Sequence, residues 1–242
     1  MYLPSLSPLH LLSFALLLQG ILGASPIFHF CSNSKNYTSN SPYETNLNKV
    51  MKSLINTVPS KGFGVASVGK NPDKVYGLGL CRGDVSSTDC KSCVTDADPE
   101  LRNLCPNDKE AIVWYDYCEL KYSYDNFFGK IDTKYRFYLW NTQNASDPAT
   151  FDYKVKELFN QVATKAYQSS KFYATGELVI DSSEKLYDLV QCTRDLSSAS
   201  CKECLDTAIS DLPNCCDGKI GGRVVGSSCN IRYELYSFFG NS

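Results

Sequence analysis

The spacing of the cysteines constrains this chain more than any other feature of its sequence. Adding 111 to the positions of five cysteines gives the positions of five others, without any insertion. The first set comprises positions 81, 90, 93, 105 and 118, and the second comprises positions 192, 201, 204, 216 and 229. Such a repeat indicates an internal duplication, and its period is too long for a solenoid. Each copy is therefore expected to be a small domain of roughly 100 residues.

The two copies differ in their remaining cysteines. At the same offset, Cys31 corresponds to Thr142, and Cys215 corresponds back to Leu104. The second unit has therefore lost its N-terminal cysteine and has gained one beside Cys216. Each unit still holds six cysteines.

Helix and strand patterns recur in the same order in both units. In the first unit, Ser41 and Glu44 form a capping-box pattern, and apolar residues over 47–58 follow at helical spacing. A second capped helix is predicted over 86–103, and it carries the Cys-x2-Cys pair. Strands are predicted for "FGVASVG", "KVYGLGL", "AIVWYDYC" and "ELKYSYD". In the second unit, helices are predicted near 150–167 and 197–211, and strands near 171–180 and 185–191 and over "GRVVGSSC" and "NIRYELYSFF". The predicted fold class is α+β, with two tandem small domains that each pack two helices on an antiparallel β-sheet.

The N-terminal segment has the composition of a secretory signal peptide. Residues 1–24 contain no Asp, Glu, Lys or Arg, and their apolar core is too short to span a bilayer. The stretch "LWNTQNASDP" has the composition of a linker. We therefore predict a signal peptide over 1–24, a first domain over 25–138, a linker over 139–148 and a second domain over 149–242.

Two glycosylation sequons, at Asn36 and Asn144, agree with passage through the secretory pathway. No later stretch of 18 apolar residues follows the signal peptide, so no membrane span is expected and the protein should be secreted into the extracellular space. The chain carries 24 basic and 26 acidic residues without a basic stripe. This balance predicts no nucleic-acid partner.

The cysteines could bind a metal, serve a redox centre or form a disulfide scaffold. A structural zinc site needs four ligands, but each unit offers a single Cys-x2-Cys pair, and His29 is the one histidine after the signal peptide. A thioredoxin-like site needs the pair at the start of a helix in a parallel βαβ unit. Here the pair lies inside a helix of a chain predicted to be secreted, where structural bridges are common. We therefore predict disulfides, with no metal and no cofactor.

Sequence alone does not settle the connectivity, since six cysteines allow 15 pairings in each unit. A bond between Cys215 and Cys216 would join residues whose Cα atoms are about 3.8 Å apart, below the usual range for a disulfide. Redox sensing through this vicinal pair remains an alternative function.

The spacing and its surroundings resemble those of the plant cysteine-rich repeat secretory proteins. The resemblance is carried by "CRGDVSSTDCKSC", "AIVWYDYC", "LVQCTRDLSSASCKEC" and "LPNCCDGKIGGRVVGSSCNIRYELY", and it spans residues 28–239. Members of this family carry two domains similar to ginkbilobin, an antifungal seed protein, and the same domain pair forms the outside of cysteine-rich receptor-like kinases. Without a membrane span or a kinase in its sequence, this chain is similar to the secreted branch.

The resemblance implies a disulfide pairing. In the first unit it implies Cys31–Cys105, Cys81–Cys90 and Cys93–Cys118. In the second it implies Cys192–Cys201 and Cys204–Cys229, which leaves Cys215 and Cys216.

The resemblance also implies a sugar site, because ginkbilobin binds mannose through an Asn, an Arg and a Glu. In the first unit, none of the three corresponding residues matches; they are Ser32, Ile112 and Ser123. The first unit is therefore expected to lack the site.

In the second unit, Arg223 and Glu234 match the family residues. The Asn position has no cysteine to anchor it, and Gln143 is assigned by the 111-residue offset. Arg and a carboxylate suit vicinal hydroxyl groups as donor and acceptor. The alternative is a structural role, either as a cross-strand ion pair or with the Arg supporting the sheet.

No catalytic residues are predicted. His29 lies near the chain terminus in a strand-like stretch, bridged cysteines offer no nucleophile, and nothing marks a carboxylate pair suited to glycoside hydrolysis. Two non-enzymatic functions remain: binding of a mannose-containing glycan in defence or stress, and pairing with similar receptor-like ectodomains.

Overall fold

A computed structural model describes residues 25–181 and 184–240, and the predicted signal peptide lies outside these residues. The first unit forms a five-stranded antiparallel sheet with strand order β1-β4-β5-β3-β2. Its strands are β1 (Phe28–Cys31), β2 (Phe63–Val68), β3 (Val75–Cys81), β4 (Ala111–Trp114) and β5 (Cys118–Ser123). Its helices are α1 (Pro42–Lys61) and α2 (Ser87–Leu104).

The second unit repeats this arrangement, with strand order β6-β9-β10-β8-β7. Its strands are β6 (Arg136–Trp140), β7 (Tyr173–Val179), β8 (Lys185–Cys192), β9 (Gly222–Gly226) and β10 (Cys229–Glu234). Its helices are α3 (Pro148–Gln168), α4 (Ser198–Ser210) and the short α5 (Leu212–Cys216). The predicted α+β class and the plan of two main helices on one sheet in each unit are confirmed, and the second unit has the short α5 in addition.

Helix starts follow the predicted caps. The Ser41 hydroxyl accepts a hydrogen bond from the Glu44 N–H at 3.3 Å, and Pro42 occupies the first turn. The Ser86 hydroxyl accepts from the Asp89 N–H at 3.1 Å. Each cap satisfies a backbone donor that the first helical turn leaves unpaired.

Each sheet has one face covered by its own helices and one face turned toward the other unit. Alternation along β4 shows this, since Val113 packs in the helix-covered core and Trp114 packs in a separate apolar cluster. This inter-unit cluster joins side chains of both sheets: Ile27, Phe30, Ile112, Trp114, Tyr135, Phe137 and Val225. Phe137 of β6 stacks on Phe28 of β1, with ring centroids 4.7 Å apart. The two units are therefore docked through apolar contact.

The boundary between the units differs from the predicted one. Strand β6 pairs with β9, so it belongs to the second sheet. The sequence analysis places residues 136–138 in the first domain and residues 139–140 in the linker. The structure corrects both assignments, because the hydrogen bonds of this strand lie within the second sheet. The strand is short, and the residues beside it have the composition of a loop. Its own residues therefore do not predict that it belongs to the second sheet.

The disulfides follow the pairing that the resemblance implies. All five expected bridges are present: Cys31–Cys105, Cys81–Cys90, Cys93–Cys118, Cys192–Cys201 and Cys204–Cys229. The remaining bridge joins the neighbours Cys215 and Cys216, whose Cα atoms lie 3.7 Å apart. No cysteine is free among the described residues.

Candidate functional site

A groove between the two units brings together the two charged residues that the sequence analysis selected. It has a volume of about 290 Å³ and is lined by Ile27, Asp116, Leu139, Trp140, Asn141, Gly221, Gly222, Arg223, Arg232, Glu234 and Tyr236. We call it the Arg223 groove. Asp116 comes from the turn between β4 and β5, so the first unit supplies part of a site built on the second.

Arg223 lies on β9 with only 11% of its side chain exposed. Its Nη1 donates to Asp116 Oδ1 at 2.9 Å, while its buried Nε has no hydrogen-bond partner in the part of the chain that the structure describes. Burial lowers the pKa of Arg223 to about 10, although Asp116 acts in the opposite direction. The guanidinium is therefore still charged at neutral pH, and one of its nitrogens is hydrogen-bonded to a carboxylate of the other unit.

Glu234 ends β10 and binds Arg232 rather than Arg223. Its Oε1 accepts from Arg232 Nε at 3.2 Å and from Nη2 at 3.1 Å. Burial raises the pKa of Glu234, and the Arg232 guanidinium opposes this shift. Arg223 and Glu234 therefore do not form the simple cross-strand ion pair that was the alternative interpretation. Arg232 lies directly opposite Arg223 in the strand register, and it makes the ion pair with Glu234.

The Arg232 guanidinium links the two sides of the groove. Its Nη1 lies 3.7 Å from Asp116 Oδ1, and its Nη2 donates to the Tyr236 hydroxyl at 3.0 Å. Two guanidinium groups and two carboxylates thus balance within the groove. Two rim aromatics, Trp140 and Tyr236, are each more than half exposed. The groove offers fixed donors, fixed acceptors and aromatic faces without a net charge.

Gln143, assigned to the site by the 111-residue offset, lies outside the Arg223 groove. It lines a separate cavity beside Asn144 and Thr150. Its N–H donates to the side-chain oxygen of Asn141 at 2.9 Å, and its carbonyl accepts from the Ile220 N–H at 3.2 Å. The strand register corrects the assignment of Gln143 to the Arg223 groove.

The register shows that the equivalent of Ser32 is Asn141. In the first sheet Cys31 lies opposite Ala111, and in the second sheet Trp140 lies opposite Gly222, the counterpart of Ala111. The Ser32 N–H donates to the Glu110 carbonyl at 3.0 Å, and the Asn141 N–H donates to the Gly221 carbonyl at 2.8 Å.

Positions 31 and 140 are therefore equivalent, so the offset at this strand is 109 and not 111. Asn141 lines the groove with Arg223 and Glu234. The sequence holds one signal for this equivalence, the aromatic strand before Asn141. The stretch "RFYLW" in the second unit corresponds to "IFHFC" in the first. The cysteine itself is missing at this position.

The first unit has no corresponding polar set. Ile112, the counterpart of Arg223, is fully buried in the inter-unit cluster. Ser123, the counterpart of Glu234, is also buried and accepts a hydrogen bond from the Asp125 N–H. An apolar residue therefore occupies the place of the guanidinium.

The sequon asparagines occupy equivalent places in the two units. Asn36 forms an isolated bridge with Asp108, and Asn144 forms one with Lys219. Both are exposed. Their glycosylation remains a prediction.

The metal and redox alternatives depend on how the possible metal ligands and the vicinal cysteines are arranged. Within residues 25–181 and 184–240, no group of three or more His, Cys, Asp or Glu is placed to hold a metal ion. Cys216 is buried and Cys215 is partly buried. Redox sensing through this pair stays a prediction.

Comparison with known proteins identifies the family. The model of the salt stress response/antifungal family matches residues 30–125 and again residues 140–236. This chain belongs to the salt stress response/antifungal family. The two matches coincide with the two units of the fold.

Members of the salt stress response/antifungal family match most of the chain. An antimicrobial ginkbilobin-2-like protein of Castanea crenata is 58% identical over 224 residues, which cover 93% of each chain. Cysteine-rich repeat secretory protein 38 of Arabidopsis thaliana is 56% identical over 215 residues, which cover 88% of this chain and 85% of that protein. The family and these relatives have the names of antifungal or secretory proteins and not of enzymes.

A solved structure from the same family shares the tandem arrangement. The tandem ectodomain of the cysteine-rich receptor-like protein PDLP8 of Arabidopsis thaliana superposes with a TM-score of 0.76 at 25% identity. The match covers 88% of this chain and 98% of the ectodomain. In the part of this chain that the structure describes, no helix has the length and apolar character of a membrane span.

Proposed function

We propose that this protein is a secreted, non-enzymatic recognition protein of the plant extracellular space, and that it binds a mannose-type carbohydrate in the Arg223 groove. The observation that carries the proposal is the convergence of Asn141, Arg223 and Glu234 in one groove. The similarity to an antimicrobial relative supports a role in defence or stress.

The chemistry of the groove suits an uncharged, hydroxyl-rich ligand. Guanidinium groups supply planar sets of donors and carboxylates supply acceptors, which together match vicinal sugar hydroxyls. The two positive and two negative groups balance, so an ionic ligand gains little there. The exposed faces of Trp140 and Tyr236 offer apolar surface beside the polar groups, as stacking on a sugar ring requires.

Calorimetric titration with mannose and mannobiose tests the proposal. Asn141→Ala should weaken binding by about five- to tenfold, since a lost hydrogen bond contributes about 1 kcal/mol. Arg223→Lys keeps the charge but removes the planar donor set, so it should weaken binding further. Gln143→Ala is the matched control and should leave the affinity unchanged.

Two results would contradict the proposal. One is the absence of heat when either sugar is added to the unmodified protein at millimolar concentration. The other is a loss of affinity in Gln143→Ala that equals the loss in Asn141→Ala, because Gln143 lies outside the groove.

Pairing with similar receptor-like ectodomains is a second candidate function. It is favoured by the likeness to the PDLP8 ectodomain and by an exposed sheet edge. Strand β7 ends the second sheet, and its Val179 side chain is 62% exposed. Such an edge can accept a strand of a partner.

Light scattering of this protein mixed with the PDLP8 ectodomain should then detect a complex. Val179→Lys should weaken the complex, because a lysine on an edge strand opposes pairing. A monomeric mixture at high micromolar concentration would argue against this function.

A further inference from the structure

A second cavity between the units has a different electrostatic character from the Arg223 groove. It has a volume of about 250 Å³, and among the residues that the structure describes its lining includes Lys61, Arg82, Lys171 and Arg194 but no acidic residue. We call it the cationic cavity. The first unit supplies Lys61 and Arg82, and the second supplies Lys171 and Arg194.

The duplication itself places the two lysines. The Cys81 N–H donates to the Gly62 carbonyl at 2.8 Å, and the Cys192 N–H donates to the Phe172 carbonyl at 2.9 Å. Gly62 and Phe172 are therefore equivalent, and both have a positive φ angle. Lys61 and Lys171 immediately precede them, so each copy contributes the same lysine to one shared cavity.

The guanidinium groups are held in place by their surroundings. Arg194 Nη1 donates to the Lys61 carbonyl at 2.7 Å, and the guanidinium lies 5.7 Å from the centre of the Phe63 ring. Arg82 makes two hydrogen bonds to Asp84, at 2.7 and 2.9 Å. Arg194 is therefore oriented without a carboxylate partner, whereas the charge of Arg82 is balanced.

The two copies differ at one position in the lining of the cavity. Gly83 is the counterpart of Arg194 at the 111-residue offset, and a side chain at Gly83 would collide with the Tyr173 ring. Because Gly83 has no side chain, the Tyr173 ring packs directly on the backbone there. At this position the second unit therefore contributes a guanidinium, Arg194, and the first unit contributes no side chain.

Three charges in this cavity lack an acidic partner. Among the described residues, no carboxylate lies within salt-bridge distance of Lys61, Lys171 or Arg194, although the protein as a whole has a net charge of −2. A cleft lined by charges of one sign focuses the field and concentrates counter-ions. The buried side chain of Gln191 lines the cavity as well, and its Nε2 donates to the Cys81 carbonyl at 3.0 Å.

We propose that the cationic cavity binds an oxyanion, either a small inorganic anion or the acid group of an anionic saccharide. Both sources present the same oxygen atoms to the two ammonium groups and the Arg194 guanidinium, which donate charge-assisted hydrogen bonds. The first residue of α2, Ser87, also lines the cavity, so the positive end of that helix dipole adds to the field.

Titration at low ionic strength with inorganic phosphate, trigalacturonate and neutral maltotriose tests this proposal. Phosphate or trigalacturonate should bind, shift the NMR signal of the Gln191 side-chain amide and lose affinity when salt is raised. Binding of phosphate alone would identify a small anion as the ligand, and stronger binding of trigalacturonate would identify an acidic saccharide. Maltotriose should leave the signal unchanged.

The variant Lys61→Gln/Lys171→Gln should lose at least tenfold in anion affinity. Its matched control is Lys49→Gln/Lys52→Gln, which removes the same charge from exposed positions of α1 away from the cavity. Equal loss in both variants would overturn the proposal, as would the absence of binding by either anion. Mannose titration of the same variants separates the two sites, because the Arg223 groove retains all of its residues.

Discussion

At the scale of single residues, Asp188 is the least expected side chain in the core of the second unit. It lies on β8 with no exposed surface, and neither carboxylate oxygen has a hydrogen-bond partner among the described residues. Its counterpart in the first unit is Gly77. Burial raises the pKa of Asp188 well above its ordinary value, so folding favours the neutral form of this group.

The neutral Asp188 makes stability depend on pH in a defined direction. In the unfolded chain this group ionises near its ordinary pKa of 3.8, whereas in the folded protein it retains its proton. The free energy of unfolding therefore falls as pH rises above that value, by about 1.4 kcal/mol per pH unit until the folded group ionises. Below it, both states are protonated and this contribution disappears.

Asp188→Asn should remove this dependence. Urea unfolding with the disulfides intact should show the variant gaining stability relative to the unmodified protein as pH rises above about 4. Asp206→Asn, on the exposed face of α4, is the control and should change stability little at any pH. Parallel pH profiles for Asp188→Asn and the unmodified protein would contradict the assignment.

At the scale of elements, β6 and its counterpart β1 are both paired in their sheets, but β6 lacks the disulfide that anchors β1. In the first unit, Cys31 of β1 is bridged to Cys105, a connection across 74 residues that contributes about 4 kcal/mol on the chain-entropy model. In the second unit, the equivalent residue of β6 is Trp140, and Cys216 bonds to its neighbour instead. The vicinal bridge closes almost no loop, so it supplies little of that stabilisation.

The strand equivalence predicts that the missing bridge can be rebuilt. In Trp140→Cys/Cys215→Ser, the thiol introduced at position 140 should bond to Cys216, because Gly222 lies opposite position 140 and against the Cys216 side chain. The rebuilt bridge should raise the melting temperature by several degrees relative to Cys215→Ser alone. Peptide mapping by mass spectrometry identifies the bond.

A matched variant separates the two alignments of the repeat. Thr142→Cys/Cys215→Ser follows the uniform 111-residue offset and should not form the bridge efficiently. Efficient bonding from position 142 together with free thiols from position 140 would show that the register-based equivalence is wrong.

At the scale of the whole molecule, charged groups are buried where the two units meet. Glu119 of β5 is only 5% exposed and pairs in register with Trp114. Within residues 25–181 and 184–240, its Oε1 has no hydrogen-bond partner. Burial raises the pKa of Glu119 to about 8, although Lys121 opposes the shift and the Asp195 and Asp132 carboxylates add to it. Lys121 itself forms an ion pair with Asp132.

Docking of the units should therefore weaken as pH rises from about 5 to 8. Glu119 is neutral in the folded protein below its raised pKa of about 8, whereas a solvated Glu ionises near 4.5. Between about pH 5 and 8, the folded protein thus holds a proton that the unfolded chain has lost. The free energy of unfolding therefore falls with increasing pH. In a Trp140→Phe background, where Trp114 is the remaining tryptophan, fluorescence during urea unfolding reports on this junction.

Glu119→Gln should flatten that pH dependence, with Glu157→Gln on the exposed surface of α3 as the control. If the unmodified protein and Glu119→Gln lose stability in parallel from pH 5 to 8, Glu119 does not control the junction.

The helices and most strands could be predicted from the sequence because their signals are local. Helical spacing over 47–58 and the Ser41 and Ser86 caps involve residues close together in the chain. The 111-residue repeat likewise identified two copies of one unit. Strand β6 was missed because its pairing with β9 depends on residues more than 80 positions away.

The sequence by itself determined the duplication and the α+β class, and its resemblance to a known family selected Arg223 and Glu234. Only the tertiary structure replaced Gln143 with Asn141, since equivalence across strands follows hydrogen-bond register and not a constant offset. Only docking of the two units brought Asp116 into the groove and placed Lys61 beside Lys171. These contacts are non-local: packing of one folded copy against the other creates them, and no pattern of neighbouring residues encodes them.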